Sequence, residues 1–423
     1  MKHSFRFTFS FLLVFALGSL VCGAVSWAST TQPTQPVRHT HSSHVQESAR
    51  ARGHLARLRH SVPVTRRHRT IAAHTRVAVY RTRRHRYVER FTASSYTTSD
   101  IFTGDVTAGE DPVVRQAAID ALGNMNGTVV AIDPSNGRIL AMVNQKLALS
   151  SGAEPCSTIK ISVALAALEE GIVTKDTQVA LGRRFHMDMT EALAHSNNLY
   201  FETLGRELGF DRVRHYATQF GLGELAGWNI PGEQLGTYPD EAIPASQGGV
   251  GRMCSFGQGV QMTPLQLGAL VAAVANGGTL YYLQHPTSPE EVTSFQPHVK
   301  RQLNIANLIP DITMGMEGAV DYGTARLLHS NFNELPILGK TGTCSDNGTR
   351  YGWFASFADT SYGRIVTVFF LEGGRPTFGP KAAELTGVFY HDLWQHSYFD
   401  QKVPTESATA TPVATPVADS LAQ

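Results

Sequence analysis

Between Arg38 and Arg90 the chain carries 14 arginines, no lysine, eight histidines and two acids, Glu47 and Glu89, for a net charge of +12. Few large aliphatic side chains interrupt this stretch, so it has too little apolar surface to offset the entropy of ordering and reads as a disordered arm. The whole chain nets only +1; the arm's +12 and the +2 of Lys2 and Arg6 therefore leave −13 for everything else. Near-neutrality is the cancellation of a basic arm against an acidic body. A tail beyond Gln401, rich in Pro, Thr, Ala and Val, reads as unstructured too. Any compact fold must then come from about 300 residues between them, enough for one large domain or an α/β core with a helical subdomain. No internal repeat is visible.

Within the body, Gly127 to Pro134 and Gly137 to Val143 are apolar runs joined by an Asp-Pro-Ser-Asn-Gly turn, a hairpin. Tyr351 to Ala358 and Arg364 to Leu371 are aromatic and β-branched runs separated by turn residues, so further strands follow. Thr263, Pro264 and Gln266 form a capping box opening a helix that Asn276-Gly277-Gly278 closes. Lys381 to Gln395 is predicted as a helix covering the sheet. The implied fold class is α/β of the α+β type: an antiparallel sheet flanked by helices on both faces, plus a helical lobe around Ser196.

Three short stretches carry candidate chemistry: Ser157-Thr158-Ile159-Lys160, Ser196-Asn197-Asn198 and Lys340-Thr341-Gly342-Thr343. The apolar run from Ile161 reads as a helix closed by Gly171, which places Ser157 in its first turn. Free backbone N–H groups and the helix dipole favour a developing alkoxide there. Lys160, one turn away on the same face, becomes a base only if burial and a nearby cation, here Lys340, lower its pKa. Each stretch alone has an ordinary explanation: a solvated lysine on an amphipathic helix, Ser and Asn capping a helix, a strand end entering a turn. In this order they supply a nucleophile, a base, a relay and oxyanion donors, the parts that acyl transfer requires. His195 reads as a packing or rim histidine.

The ordered set resembles the transpeptidase domain of penicillin-binding proteins over about residues 125–395, and the Gly257-Gln258-Gly259, Thr263 to Leu267 and Asn276-Gly277-Gly278 series is typical of that family. The resemblance implies Ser157 as nucleophile, Lys160 as base, Ser196 as proton relay to the leaving group and Lys340 as a source of positive potential. It implies that the Asn198 amide holds the substrate backbone and that the Thr341 and Thr343 hydroxyls meet a substrate carboxylate. Gly342 would let a substrate pair in β fashion, and the Thr343 and Ser157 N–H groups would form the oxyanion hole. No cofactor or metal is implied. The expected activity is that of a D,D-transpeptidase acting on D-Ala-D-Ala peptidoglycan stem peptides through a Ser157 acyl-enzyme, or a carboxypeptidase if water resolves it; β-lactams would acylate the same serine. Within the fold the alternatives are a serine β-lactamase or a β-lactam sensor; outside it, a non-catalytic wall-binding scaffold.

Three departures from the family pattern stand out. Cys156 occupies a position usually held by glycine, only 39 residues separate Ser157 from Ser196, and nothing before residue 125 resembles a glycosyltransferase, so a separate one is the expected partner. Cys156 and Cys344 flank the two expected oxyanion donors, which must reach one oxygen, so a Cys156–Cys344 disulfide is expected in an oxidising compartment; the alternative is three small buried thiols, Cys254 included.

Phe7 to Val25 is an apolar run behind Lys2 and Arg6, with small residues near Ser26-Trp27-Ala28, an export segment whose retention as an anchor or cleavage as a signal is open. The sequence before Cys22 matches a lipid-attachment site poorly. An exported arm at 38–90 would meet anionic lipid or wall polymer rather than nucleic acid, and the irregular spacing of its histidines marks no metal site. The expected organisation is 1–28 signal or anchor, 29–100 Arg/His-rich linker, 101–400 catalytic domain and 401–423 tail.

Overall fold

The computed structural model describes residues 91–358 and 364–400. The expected export segment, most of the basic linker and the tail lie outside the described residues. The linker's last residues are the exception. Thr92 and Ala93 donate their N–H groups to the Gly348 carbonyl, and buried Ser95 accepts from Gly374 N–H and Thr377 Oγ1 at 3.0 and 2.8 Å. These contacts run through backbone and hydroxyl groups, which apolar periodicity does not register.

The core is a five-stranded antiparallel sheet of β1 (Gly127–Asp133), β2 (Arg138–Val143), β3 (Ile337–Asp346), β4 (Thr349–Ala358) and β5 (Ile365–Gly373), in the order β2-β1-β5-β4-β3. The β1–β2 hairpin forms as expected, its turn held where Asp133 Oδ1 accepts from Ser135 N–H at 3.0 Å, with a register shift at Ala131/Ile132. The central strand β5 reads Ile-Val-Thr-Val-Phe-Phe-Leu and is buried on both faces, because helices cover both sides. On one face lie the helices Pro112–Leu122 and Gly379–Gln395 with Phe332, Phe354 and Phe389; on the other lie Lys160–Glu169 and Pro264–Ala275 with Val368 and Phe370.

The Pro264–Ala275 helix is buried along its whole length, as a helix that is apolar all round must be. Both arms of its capping box are present: Gln266 N–H donates to Thr263 Oγ1 at 3.1 Å and Thr263 N–H to Gln266 Oε1 at 3.0 Å. The helical lobe consists of Met189–Ala194, Asn198–Leu208, Phe210–Gln219 and Gly249–Phe256. Strand β3 is an edge of the sheet, and its register pairs Lys340 with Ala355, Thr341 with Phe354, Gly342 with Trp353 and Thr343 with Gly352. Beside it stands the segment that bears Ser157.

Candidate active site

Ser157 lies in a 3-10 turn, Cys156–Ile159, and the α-helix begins only at Lys160. The expected helix is thus present, but the serine precedes its first α-helical residue. The turn is anchored through Pro155, whose carbonyl accepts from Thr158 N–H at 3.1 Å and Thr158 Oγ1 at 2.7 Å. Cys156 has φ +52°, in the left-handed region that a β-carbon disfavours, which accounts for glycine being usual there. The cost is sustained by a covalent tie: Cys156 and Cys344 form a disulfide with Cα atoms 5.5 Å apart. Trp353 Nε1 adds a hydrogen bond of 3.1 Å to the Glu154 carbonyl.

Gly342 also faces the serine turn. A β-carbon there would stand 2.9 Å from the Pro155 carbonyl oxygen and 3.1 Å from Thr158 Cγ2. Its bareness lets the strand and the serine turn touch.

Lys160 reaches four oxygens, which is the deciding feature of the site. Its side chain is fully buried, and Nζ lies 3.0 Å from Ser157 Oγ, 3.1 Å from Ser196 Oγ, 2.7 Å from the Ser196 carbonyl and 2.6 Å from Asn198 Oδ1. Burial, and then the charge of Lys340, hold its pKa well below that of a free lysine, with Glu202 pulling the other way. Lys340 is also fully buried; desolvation lowers its pKa to about 7, and its Nζ donates to Ser196 Oγ at 2.8 Å and the Thr341 carbonyl at 3.1 Å. An ammonium has three donors. In the neutral form, two N–H groups suit the Ser196 carbonyl and Asn198 Oδ1, leaving a lone pair for the Ser157 hydroxyl.

Ser196 sits between the Met189–Ala194 and Asn198–Leu208 helices at φ +54°, a second left-handed residue, and so turns its hydroxyl between the two lysines. Of the two residue types expected to cap, Asn197 does so, its Oδ1 accepting from Tyr200 N–H at 3.0 Å. Asn198 opens the helix and turns its carbonyl oxygen to Lys160. His195 is half-exposed at the rim, 3.2 Å from Glu191 and edge-on to Tyr322.

The Thr341 and Thr343 hydroxyls are partly committed to the protein: Thr341 Oγ1 shares a 2.7 Å hydrogen bond with Thr324 Oγ1, and Thr343 Oγ1 accepts from Gly379 N–H at 2.8 Å. Neither Thr324, Trp353 nor Glu154 carries a motif that singles it out, and only the folded neighbourhood reveals them. Two clefts adjoin the centre. One of about 450 Å³ is lined by His195, Tyr322, Thr324, Arg326 and Phe378. The other, about 570 Å³, is lined by Glu154, Arg252, Gln258, Asp346 and Tyr351.

The family model described as the penicillin binding protein transpeptidase domain matches residues 127–387, more than half of the chain. The chain belongs to that family. Among its relatives, stage V sporulation protein D of Bacillus subtilis is 31% identical over 51% of this chain and 39% of its own length. The peptidoglycan D,D-transpeptidase MrdA of Acinetobacter baumannii is 25% identical over 69% of this chain and 54% of its own length. This penicillin-binding protein transpeptidase domain therefore spans about half the length of those relatives, or less. The fold is shared with Pseudomonas aeruginosa PBP2 in complex with WCK 5153 (TM-score 0.57, 23% identity, 72% of this chain and 78% of that one). It is shared equally with a peptidoglycan glycosyltransferase from Burkholderia ambifaria (TM-score 0.58, 20% identity, 69% and 98%).

Proposed function

We propose that the protein is an exported serine D,D-transpeptidase that cross-links peptidoglycan stem peptides ending in D-Ala-D-Ala. The observation that carries this reading is the fully buried Lys160 amine within 3.1 Å of both Ser157 Oγ and Ser196 Oγ. In acylation, Lys160 takes the Ser157 proton as Oγ attacks the carbonyl of the penultimate D-alanine. The Ser157 and Thr343 N–H groups receive the oxyanion. The proton passes through Ser196 Oγ to the departing D-alanine amine, the C–N bond breaks, and the acyl group stays on Ser157 as an ester. An amine from a second stem then attacks that ester, gives its proton back along the same path, and frees the serine. Lys340 holds the Ser196 hydroxyl in place and adds positive potential. Thr341 and Thr343 meet the substrate carboxylate with what hydroxyl capacity their internal partners leave.

The protein works outside the cytoplasm, its 38–90 arm held to anionic lipid or wall polymer, and a separate glycosyltransferase supplies the glycan strand.

Intact mass followed over time after adding benzylpenicillin, alongside Ser157→Ala, tests the core of this. A lasting adduct absent from the variant, together with cross-linking of a stem-peptide donor to an amine acceptor, is the expected result. An adduct released steadily as opened drug would make the protein a β-lactamase. An adduct without cross-linking would leave a sensor or, where the donor is hydrolysed, a carboxypeptidase. No adduct would leave the wall-binding scaffold.

A further inference from the structure

His195 immediately precedes Ser196 and lines the cleft of about 450 Å³ with Tyr322, Thr324, Arg326 and Phe378. Thr324 Oγ1 is 2.7 Å from Thr341 Oγ1, so this cleft lies against the strand that bears Lys340. An imidazole one helical turn beyond a glutamate is by itself an ordinary surface pair. Here a second element fixes the pair. Glu191 Oε2 lies 3.2 Å from His195 Nε2, and Tyr322, next after the Ile309–Asp321 helix, donates its hydroxyl to Glu191 Oε1 at 2.9 Å. The Tyr322 ring also packs edge-on to the imidazole, with centroids 5.7 Å apart. Burial, then the hydrogen bond to Glu191, push the Tyr322 hydroxyl up to about 12, so it stays a donor to that carboxylate. A carboxylate that accepts the Nε2 proton of a neutral imidazole leaves the lone pair on Nδ1. His195 Nδ1 has no hydrogen-bond partner among the described residues.

The proposed reaction has a use for that lone pair. The acceptor's side-chain amine is an ammonium at neutral pH and has no electron pair with which to attack the ester on Ser157. It must come to the place the departing amine left, next to Ser196 Oγ, because the path through Ser196 serves both steps. Resting on the transpeptidase reading, we propose that His195 is the base that takes the first proton from the acceptor ammonium, with Glu191 and Tyr322 holding the imidazole in place. Nδ1 takes one N–H proton and leaves a neutral amine, and the Glu191 carboxylate stabilises the imidazolium that forms. The amine's electron pair makes the C–N bond, its second proton travels through Ser196 Oγ and Lys160 to Ser157 Oγ, and the ester C–O bond breaks. His195 then gives its proton to solvent, to which it is half-exposed. Around Tyr322, Asp188 and Asp321 add negative charge, with His329 at 3.5 Å from Asp321 and Arg326 in the cleft wall opposing them.

The test follows the second half of the reaction alone. The full chain in detergent is acylated on Ser157 by a stem-peptide ester, freed of excess ester, and mixed at pH 7 with saturating acceptor, and the decay of the acyl-enzyme to amide is read by intact mass. Only acylated molecules are counted, so any loss of folded protein in a variant cancels. Two acceptors are compared: a lysyl side-chain amine, almost wholly ammonium at that pH, and hydroxylamine, which is mostly neutral. His195→Ala should slow amide formation with the lysyl amine about 10²-fold and with hydroxylamine less than about threefold, and added imidazole should restore at least about tenfold of the loss. Glu191→Gln should show the same selectivity at about tenfold. An equal loss toward both acceptors would make His195 a structural residue, and no loss toward either would make it a bystander. A selective loss that imidazole does not relieve would make it a binding group only. Each of these overturns the proposal, while the acyl-enzyme itself leaves the transpeptidase reading standing. An unaltered chain that forms no acyl-enzyme on Ser157 would remove both.

Discussion

Replacing Lys160 with arginine separates a base from a charge. A guanidinium keeps the positive potential but cannot give up its proton in a protein. If Lys160 takes the Ser157 proton, Lys160→Arg should lower the rate of acylation by benzylpenicillin about 10³-fold, within the range attributed to a positioned general base. The burial that makes lysine a base sets a second magnitude. With the ordinary lysine value of 10.5, only about 3 in 10,000 molecules would hold a neutral amine at pH 7. The rate would then climb roughly tenfold per pH unit to about pH 10. Desolvation and Lys340 move that limb well down, so the rate should be close to its plateau before pH 10 is approached. Stopped-flow or quenched intact-mass kinetics across that range, on the unaltered protein and on Lys160→Arg and Lys160→Met, measure both effects. Met guards against the bulk of arginine, since it fills the buried site without charge; it leaves Asn198 Oδ1 and the Ser196 carbonyl without their donor, so a modest loss of thermal stability is expected and the folded fraction is measured alongside. Arginine working within tenfold of lysine while methionine does not would show that charge alone suffices. A rate that rises unbroken to pH 10 would show that Lys160 is an ordinary lysine. Either result refutes the proposed role.

Three other outcomes follow from the geometry. The disulfide closes a loop across 188 residues, so Cys156→Ser with Cys344→Ser should cost about 2–5 kcal/mol in denaturant unfolding; a loss below about 1 kcal/mol would mean that the turn stays on the strand without it. Gly342→Ala drives a β-carbon to 2.9 Å from a backbone carbonyl that cannot swing aside, so it should slow acylation at least about tenfold and destabilise by about 1–3 kcal/mol; normal kinetics would show a pliant contact. Lys340 binds its proton less readily folded, at about 7, than unfolded, so over the interval above 7 the unfolded chain holds the extra proton and stability should rise with pH. The rise should approach about 1.4 kcal/mol per unit between about pH 7 and 8.5, below the range where the unfolded chain's thiols titrate, and it should shrink in Lys340→Met; a flat or falling profile would contradict the burial.

What was legible in the sequence was whatever short-range spacing encodes. Ser157 and Lys160 are three residues apart, and a turn of helix is enough to bring them together. The Thr263–Gln266 capping box and the 127–143 hairpin are local in the same sense, and each is found where the pattern put it. The meeting of Lys160 with Ser196, 36 residues on, follows from how the lobe packs on the sheet, and no periodicity states it; only the order of motifs pointed there. Thr324 was invisible because a threonine before an alanine-arginine pair has no signature, and its hydrogen bond to Thr341 exists only once the strand is in place. Left-handed backbone at Cys156 and Ser196 was equally hidden, since neither residue type favours it.

The serine turn is held against the β3–β4 edge of the sheet in three independent ways. Gly342 removes the atom that would keep them apart, the Cys156–Cys344 bridge ties them covalently, and the Trp353 indole clasps the Glu154 carbonyl. One such device would bring two segments together; three fix their separation. A tight separation is what a pair of backbone donors needs if both are to reach one oxygen, because donors pre-set at hydrogen-bond distance need no rearrangement as charge develops. The cysteine at a left-handed position is then intelligible. A glycine at 156 would relieve about 1 kcal/mol of backbone strain, less than the bridge contributes, and it would leave the Gly342 contact and the Trp353 hydrogen bond to hold the turn without a covalent tie.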